Sequence, residues 1–511
     1  MTAPTGSAPE PTLAKAAPAA DPLIPAATPP AGAGAASDAL IPASGRTPLV
    51  IKLLVAATFV VILNETIMVN AVPRLMVDFS IGSTTAQWAL TVFMLTMAAV
   101  IPVTGWFLQR VSTRRAYAVA MTTFALGTLI AAIAPSFAVL LGGRVVQAAG
   151  TAVMMPLLMT TLMTVVAAED RGRVMGQVTL AMSCAPALGP AVSGVLLELG
   201  SWRLIFVAVL PVAVLVGFFG HRAMVDVGET NQAPVHWPSV VLAGSGFAIF
   251  VFGLSRVGEA AAAEAIGLIV TGLALVAAFV ALQLRLQRED RPLLDLRTLT
   301  HRSYAISLAL MSAGFMAFLG SMILLPLYLQ QLRGLTELQT GLLVMPGGLA
   351  MGLLGPQVGK AYDRIGSRPL VIPGAVGMVA LLFALSRLGA DTPYLLILLV
   401  HVALMASLAL IFTPVFTIGL GALPPHLYSH GSSLLGTLQQ VAGAIGTAVL
   451  VVILSNRSES LASDGAAPAA AMLGGLQWAF AAGAVIGLVV VATALMLPAR
   501  VEAPESAPHG H

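Results

Sequence analysis

Charge is scarce in this chain. Asp, Glu, Lys and Arg make up 9% of its 511 residues and hydrophobic residues 58%, whereas a soluble domain carries about 25% charge. So little polar surface excludes a string of soluble domains, and the composition also excludes collagen-like, disordered and disulfide-rich classes. Cysteine is reduced to Cys184, which permits neither an internal disulfide nor a cysteine-built metal site. Among apolar neighbours it reads as a small packing residue. Lysine is down to 3 residues against 22 arginines. The net charge of +3 does not mark a nucleic-acid partner, because the arginines lie in short loops between apolar runs, where they set membrane topology. No Gly-x-x-x-x-Gly-Lys-[Ser/Thr] loop is present to use a nucleotide. Nor is there a His and carboxylate cluster at membrane depth of the kind an intramembrane enzyme needs. No metal, cofactor or enzymatic activity is expected.

What the chain has is long apolar runs. Eight lie at 49–72, 86–108, 116–134, 137–163, 174–198, 202–220, 238–256 and 263–284, and six more at 304–330, 338–359, 369–388, 393–420, 432–456 and 473–497. Each can cross about 30 Å of hydrocarbon at 1.5 Å per residue. Pro73, Pro102, Pro156, Pro190, Pro326, Pro346 and Pro414 fall within or at the ends of these runs and are tolerated where neighbouring helices satisfy the freed carbonyls. With the N-terminus inside, 18 of the 25 basic residues fall on the inner side and 6 outside, Arg144 lying within a span. The bias predicts both termini in the cytoplasm. Residues 1–47, rich in Ala, Pro, Gly and Ser, and residues 499–511 read as disordered tails. The first stretch lacks the basic start and apolar core of a signal peptide.

Gly105-Trp-Phe-Leu-Gln109-Arg110-Val-Ser112-Thr-Arg114 aligns with Gly359-Lys-Ala-Tyr-Asp363-Arg364-Ile-Gly366-Ser-Arg368 at an offset of 254. Each copy follows the second span of a set of six. The repeat predicts an all-α membrane protein with a six-helix bundle over 48–222 and another over 301–498. Two inserted helices with their loops fill 223–300. Parallel repeats of this kind rock about a site near the midplane.

Ionisable residues at membrane depth are costly and mark function. Of 22 acidic residues, Glu65 alone sits near the middle of a run, in Leu63-Asn64-Glu65-Thr66, with Asn70 expected on nearly the same helical face. A carboxyl group there can load a proton from one side and release it to the other; the bland alternative is a protonated Glu bonded between helices. Arg144, the only cation in a span, needs a cavity, water or a carboxylate, and Gln147 shares its face three residues on. It reads as organising a proton relay, with snorkelling to an interface as the alternative. Asp363 can pair with Arg364, Arg368 or a helix end of the other bundle, latching one state, or the turn serves orientation alone. Gln439 and Gln440 line a cavity or glue helices, and His401 reads as an interhelical hydrogen-bonder. In the fifth run, Ala185-Pro186-Ala-Leu-Gly189-Pro190-Ala-Val-Ser193-Gly194 provides small residues for close helix approach.

On these motifs the chain resembles the major facilitator superfamily over nearly all of 48–498, and within it the fourteen-span drug:proton antiporter group of the EmrB/QacA type. Gly359, Asp363, Arg364, Gly366 and Arg368 meet the superfamily loop pattern in full. The first copy, with Gly105, Arg110 and Arg114, departs at Gln109 and Ser112. Arg144 matches the fourth-span Arg that the family implicates in proton transfer. Gly189, Pro190 and Gly194 match the fifth-span pattern of exporters, with Ala185 and Ser193 as departures. Leu63-Asn64-Glu65-Thr66-Ile67 shifts by one place the acid of the Leu-Asp-x-Thr-Ile found in many relatives. With Thr85-Ala86-Gln87-Trp88 and Arg110-Val-Ser-Thr-Arg114-Arg115, that variant is similar to the lincomycin-resistance exporters.

The expected function is proton-coupled export of hydrophobic or amphipathic drugs across the bacterial inner membrane. Glu65 and Arg144 couple the proton, and Asn64, Asn70, Gln147, Gln439 and Gln440 line the substrate cavity. The expected partners are small drug-like molecules, protons and the bilayer, with the protein acting as a monomer. A dedicated exporter of one metabolite and a proton-coupled importer are the alternatives.

Overall fold

Inside a bilayer every backbone N–H and C=O must be paired within the segment, so each apolar run closes on itself as a helix. The computed structural model describes Thr2 and residues 48–227, 235–257, 261–289 and 291–500. Apart from Thr2, the expected first tail, and the second beyond Arg500, lie outside the described residues. Among the described residues, fourteen helices are long and apolar enough to cross a membrane. They are α1 (Leu49–Ile67), α2 (Ser83–Arg110), α3 (Thr113–Ala132), α4 (Phe137–Val165), α5 (Arg171–Leu199), α6 (Arg203–Ala223), α7 (Trp237–Ser255) and α8 (Ala262–Leu286), then α9 (Arg302–Leu327), α10 (Glu337–Ile365), α11 (Arg368–Leu385), α12 (Tyr394–Gly421), α13 (Tyr428–Ser463) and α14 (Pro468–Met496). The protein is an all-helical, multi-pass membrane protein.

The repeat seen in the loops extends to the packing. In the first half α1 packs on α4, α5 and α6, α3 on α4 and α6, and α2 on α4. In the second half α9 packs on α12, α13 and α14, α11 on α12 and α14, and α10 on α12. These are the same pairings eight helices later. The halves meet where α5 lies along α10 and α2 along α13, with α12 on α5 and α13 on α4, so the contact between them is itself twofold. In lipid, close approach of small residues drives such contacts. Along α5 and α10, Gly172 faces Gly359, Gly176 faces Gly355, Cys184 faces Gly352 and Ala187 faces Gly348. Cys184 is thus a packing residue, as expected. Between the halves α8 packs on α7, and α7 on α2 and α13.

Three expectations are corrected. The first helix stops at Ile67, not near 72. A tight 3₁₀ turn over Met68–Ala71 and a separate short helix, Val72–Asp78, follow it. Pro73 stands in the first turn of that short helix, where its missing N–H costs nothing. Asn70 therefore lies in the 3₁₀ turn and not on the α1 face of Glu65. Third, α13 begins four residues before the expected span, so His430 joins His401 inside a helix.

An aromatic knot holds the end of the bundle beyond this break. Phe79 packs on Phe137 and Trp202, and Trp202 on Phe206. The Trp202 indole N–H and the Arg203 guanidinium both donate to Asp78 at 2.9 Å. These two donors hold the Asp78 carboxyl below the usual carboxylate range.

Candidate functional site

Arg144 stands on α4, fully buried beside Asn64 and Gln147, which are also buried completely. Its Nε donates to the Ala89 carbonyl of α2 at 3.1 Å, and Nη1 donates to Asn64 Oδ1 at 3.3 Å and to Gln147 Oε1 at 2.7 Å. Gln147 Nε2 donates onward to Thr128 Oγ1 of α3 at 2.7 Å. The guanidinium also lies over the Phe93 ring, 4.1 Å from its centroid. Snorkelling is excluded, because the charge ends in the bundle interior. A Cβ on Gly127 would strike the Gln147 backbone, so this glycine lets α3 come close enough for the Thr128 bond.

Glu65 sits beside this chain of bonds. Its side chain is half-buried, and along the whole of α1 only Leu49 and Lys52 are exposed, so the helix is shielded from lipid at this depth. Arg144 and Glu65 act on each other electrostatically without forming an ion pair. Among the described residues no hydrogen bond reaches the Glu65 carboxylate. The arrangement is an unpaired carboxyl next to a cation bonded solely to neutral acceptors. It can exchange a proton while keeping a counter-charge at hand.

Of the expected site residues, the structure gathers Asn64, Glu65, Arg144 and Gln147, while Asn70 stands in the 3₁₀ turn after α1 and Gln439 and Gln440 stand on α13. Gln439 and Gln440 are half-buried on α13, and Gln439 Nε2 is buried without a partner among the described residues. Sequence reasoning did not name Ala89, Phe93 or Thr128. The one signal for them is that a buried guanidinium must find acceptors for its five donors.

The two loop copies behave differently. In the second, Asp363 accepts from the Gly172 N–H at 2.9 Å and from the Arg173 N–H at 2.8 Å. Of its three expected partners it takes the helix end, an anion seated on the α5 N-terminus in the other half. Gly366 has φ +81°, a left-handed turn that favours glycine. Ser367 and Arg368 bond the Pro498, Ala499 and Leu497 carbonyls after α14, and the Arg364 carbonyl accepts from Arg500. In the first copy, Ser112 has φ −60°, so no glycine is needed there. Gln109 Nε2 donates to the His426 carbonyl just before α13 at 2.9 Å. Gly105 packs on His430 and Ser433, Arg110 lies over Trp106, and Arg114 bonds the His221 carbonyl. One side of this arginine-rich end is thus held by a charged cap and the other by a neutral amide.

Residues 54–447 match the family model described as the Major Facilitator Superfamily. The chain belongs to that superfamily. Its members are transporters, not enzymes. The chain is 37% identical to the "Lincomycin resistance protein LmrB" of Listeria monocytogenes over 88% of this chain and 95% of that one. It is 36% identical to the "Uncharacterized MFS-type transporter YcnB" of Bacillus subtilis (86% and 93%). It is 32% identical to the "Multidrug resistance protein B homolog" of Mycobacterium tuberculosis (86% and 82%). Among solved structures, the human organic anion transporter MFSD10 matches with TM-score 0.60 at 15% identity, covering 87% of this chain and 98% of that one. The proton:xylose symporter XylE matches with TM-score 0.60 at 16% identity, covering 88% and 94%.

Within this major facilitator fold the fifth helix touches the Glu65 segment directly. A Cβ on Gly189 would strike the Thr66 hydroxyl, and Thr66 Oγ1 reaches the Ala185 carbonyl at 3.5 Å. Gly189 thus marks a close approach of α1 and α5, at the residue next to Glu65 and just before the helix breaks. Gly194 faces open space.

Proposed function

We propose that the chain is a proton-coupled antiporter that exports hydrophobic or amphipathic drugs across the bacterial cytoplasmic membrane, with its arginine-rich end and both termini in the cytoplasm. The carrying observation is Glu65, a carboxyl shielded from lipid, free of any partner among the described residues, and within the field of the fully buried Arg144. Protonated, Glu65 is neutral and its side of the cavity accepts apolar cargo. Ionised, it uses Arg144 as counter-charge until a proton arrives from the outside. Asn64 and Gln147 orient the guanidinium, while Asn70, Gln439 and Gln440 are assigned to the cargo cavity. The positive-inside bias supports the orientation, and the drug-resistance names of several relatives support the cargo class.

In proteoliposomes with an internal pH dye, the wild type should show drug-dependent proton movement across a compound panel. Glu65→Gln should lose it at least a hundredfold while inserting normally, and normal proton movement by that variant would overturn the reading. A response to one compound alone would favour the dedicated exporter.

A further inference from the structure

The inserted pair carries a buried chain of hydrogen bonds that the mechanism above leaves unused. Gln283 on α8 and Ser239 on α7 are both fully buried. Gln283 Oε1 accepts from the Leu293 N–H at 2.8 Å and from the Leu294 N–H at 3.3 Å, both in the linker after α8. These two donors fix which way the amide points, and its Nε2 donates to Ser239 Oγ at 2.9 Å. The Ser239 N–H donates at 3.3 Å to Nδ1 of His236, the N-cap of α7. Nδ1 therefore carries the lone pair, and the Ser239 hydroxyl donates to it as well, at 2.9 Å. One turn beyond Gln283, Gln287 Nε2 donates to Asp295 Oδ1 at 2.9 Å. The chain thus straps α7, α8 and the linker together at their inner ends.

The linker in turn is seated on the C-terminal half. Leu293 and Leu294 are buried. Asp295 caps a 3₁₀ turn over Leu296–Thr300, accepting from the Arg297 N–H at 2.9 Å and pairing with the Arg297 guanidinium at 3.1 Å. That turn packs on α9 and α13 and runs straight into α9 at Arg302. Contact of the pair with the first half is of another kind. α7 meets α2 through Phe252 on Trp88, with ring centroids 5.4 Å apart, and through Gly244 beside Ala99. No hydrophobic force holds such apolar surfaces together in a bilayer, because lipid tails replace the lost contacts. Breaking the strap instead strands a buried amide and two backbone N–H groups, and unpaired buried polar groups are costly. When the halves move, the apolar contact with α2 is therefore the one that gives.

We propose that the Gln283 strap makes α7, α8 and the linker one moving body with the C-terminal half, so that α7 shifts against α2 in each transport cycle and keeps its place on α13. The inference rests on the alternating access that the proposed antiport requires. The test uses a Cys184→Ala chain, which lacks the sole cysteine, with spin labels placed in pairs at Val119 on α3, Leu273 on α8 and Val376 on α11, all exposed. Distances are measured in nanodiscs at neutral and acidic pH, with and without a drug from the panel. The Val119–Val376 distance reports the movement of the halves. The Leu273–Val119 distance should shift with it, while Leu273–Val376 stays fixed. The reverse pattern overturns this inference and leaves the antiport standing. A Val119–Val376 distance that never changes overturns the alternating access on which both depend. Gln283→Leu should broaden the Leu273–Val376 distance; a sharp, unaltered distance in the folded variant shows that the strap does not carry the pair and overturns the proposal. Should that variant fail to fold, Gln287→Ala at the half-buried end of the strap should broaden the same distance, and a sharp one there overturns the proposal too. In proteoliposomes, Trp88→Cys and Phe252→Cys joined by a short cleavable cross-linker should lose drug-dependent proton movement and regain it on cleavage. Undiminished movement in the fully cross-linked protein would also overturn the proposal.

Discussion

Arg144 donates to a backbone carbonyl and two amide oxygens and lies over the Phe93 ring. A lysine keeps the charge but loses the planar fork that reaches several acceptors at once. Arg144→Lys should therefore insert normally yet transport at least tenfold more slowly, as radiolabelled drug efflux from vesicles would measure; wild-type rates would show that charge alone suffices. The ionisable members of this site, Glu65 and Arg144, were readable from the chain because a charge at membrane depth needs a reason. Thr128, Phe93 and the Ala89 carbonyl were not, since nothing distinguishes them from other span residues until the guanidinium has been placed. Asn70 was misplaced because the 3.6-residue period was carried through a 3₁₀ turn that Pro73 helps to end.

At the scale of helices, α1 and α5 approach through Gly189 and Thr66. The fifth-span small residues were readable as a close contact, but their partner was not, because the period of one helix does not say which neighbour it meets. Overpacking a tight contact costs about 1–3 kcal/mol. Gly189→Val should lower stability by about that amount in a thermal assay in detergent and impair proton-linked transport, because the displaced segment carries Glu65. Thr66→Ala in the same chain should recover part of the loss. Full stability in Gly189→Val would mean that the two helices do not depend on this contact. The helix count and the duplication were accessible from apolar runs and loop motifs, whereas the ends of α1 and α13 shifted because capping and 3₁₀ geometry, not hydropathy, decide where a helix stops.

At the scale of the whole molecule, the bonds that join the halves gather at the arginine-rich end. They run from Asp363 to the α5 N-terminus, from Gln109 to His426, from Thr160 to Ser432 and from Arg171 to Tyr428, with Ser432 and Ser433 also bonding the Pro156 and Ile101 carbonyls and Thr179 bonding Thr413 further along the seam. Hydrogen bonds to a charged acceptor contribute about 1.5–3 kcal/mol. Asp363→Asn should shift the balance between the two states by roughly tenfold toward opening at this end, visible as a longer distance between spin labels on the two loops. Gln109→Ala should shift it less, because a neutral bond is weaker. Equal shifts would contradict the asymmetry. The departure at Gln109 was readable from the repeat, but its carbonyl acceptor was not.

The inserted pair carries a mechanical implication. Helix α7 rests on α2 of one half and α13 of the other, and α8 leans on α7. In the proposed export cycle, a swing of the halves would make the two surfaces beneath α7 part or slide, so that the pair would ride with one and slide over the other. It spans the seam on that flank like a hinged cover plate, whereas the seam between α5 and α10 closes through its own glycine-lined fit.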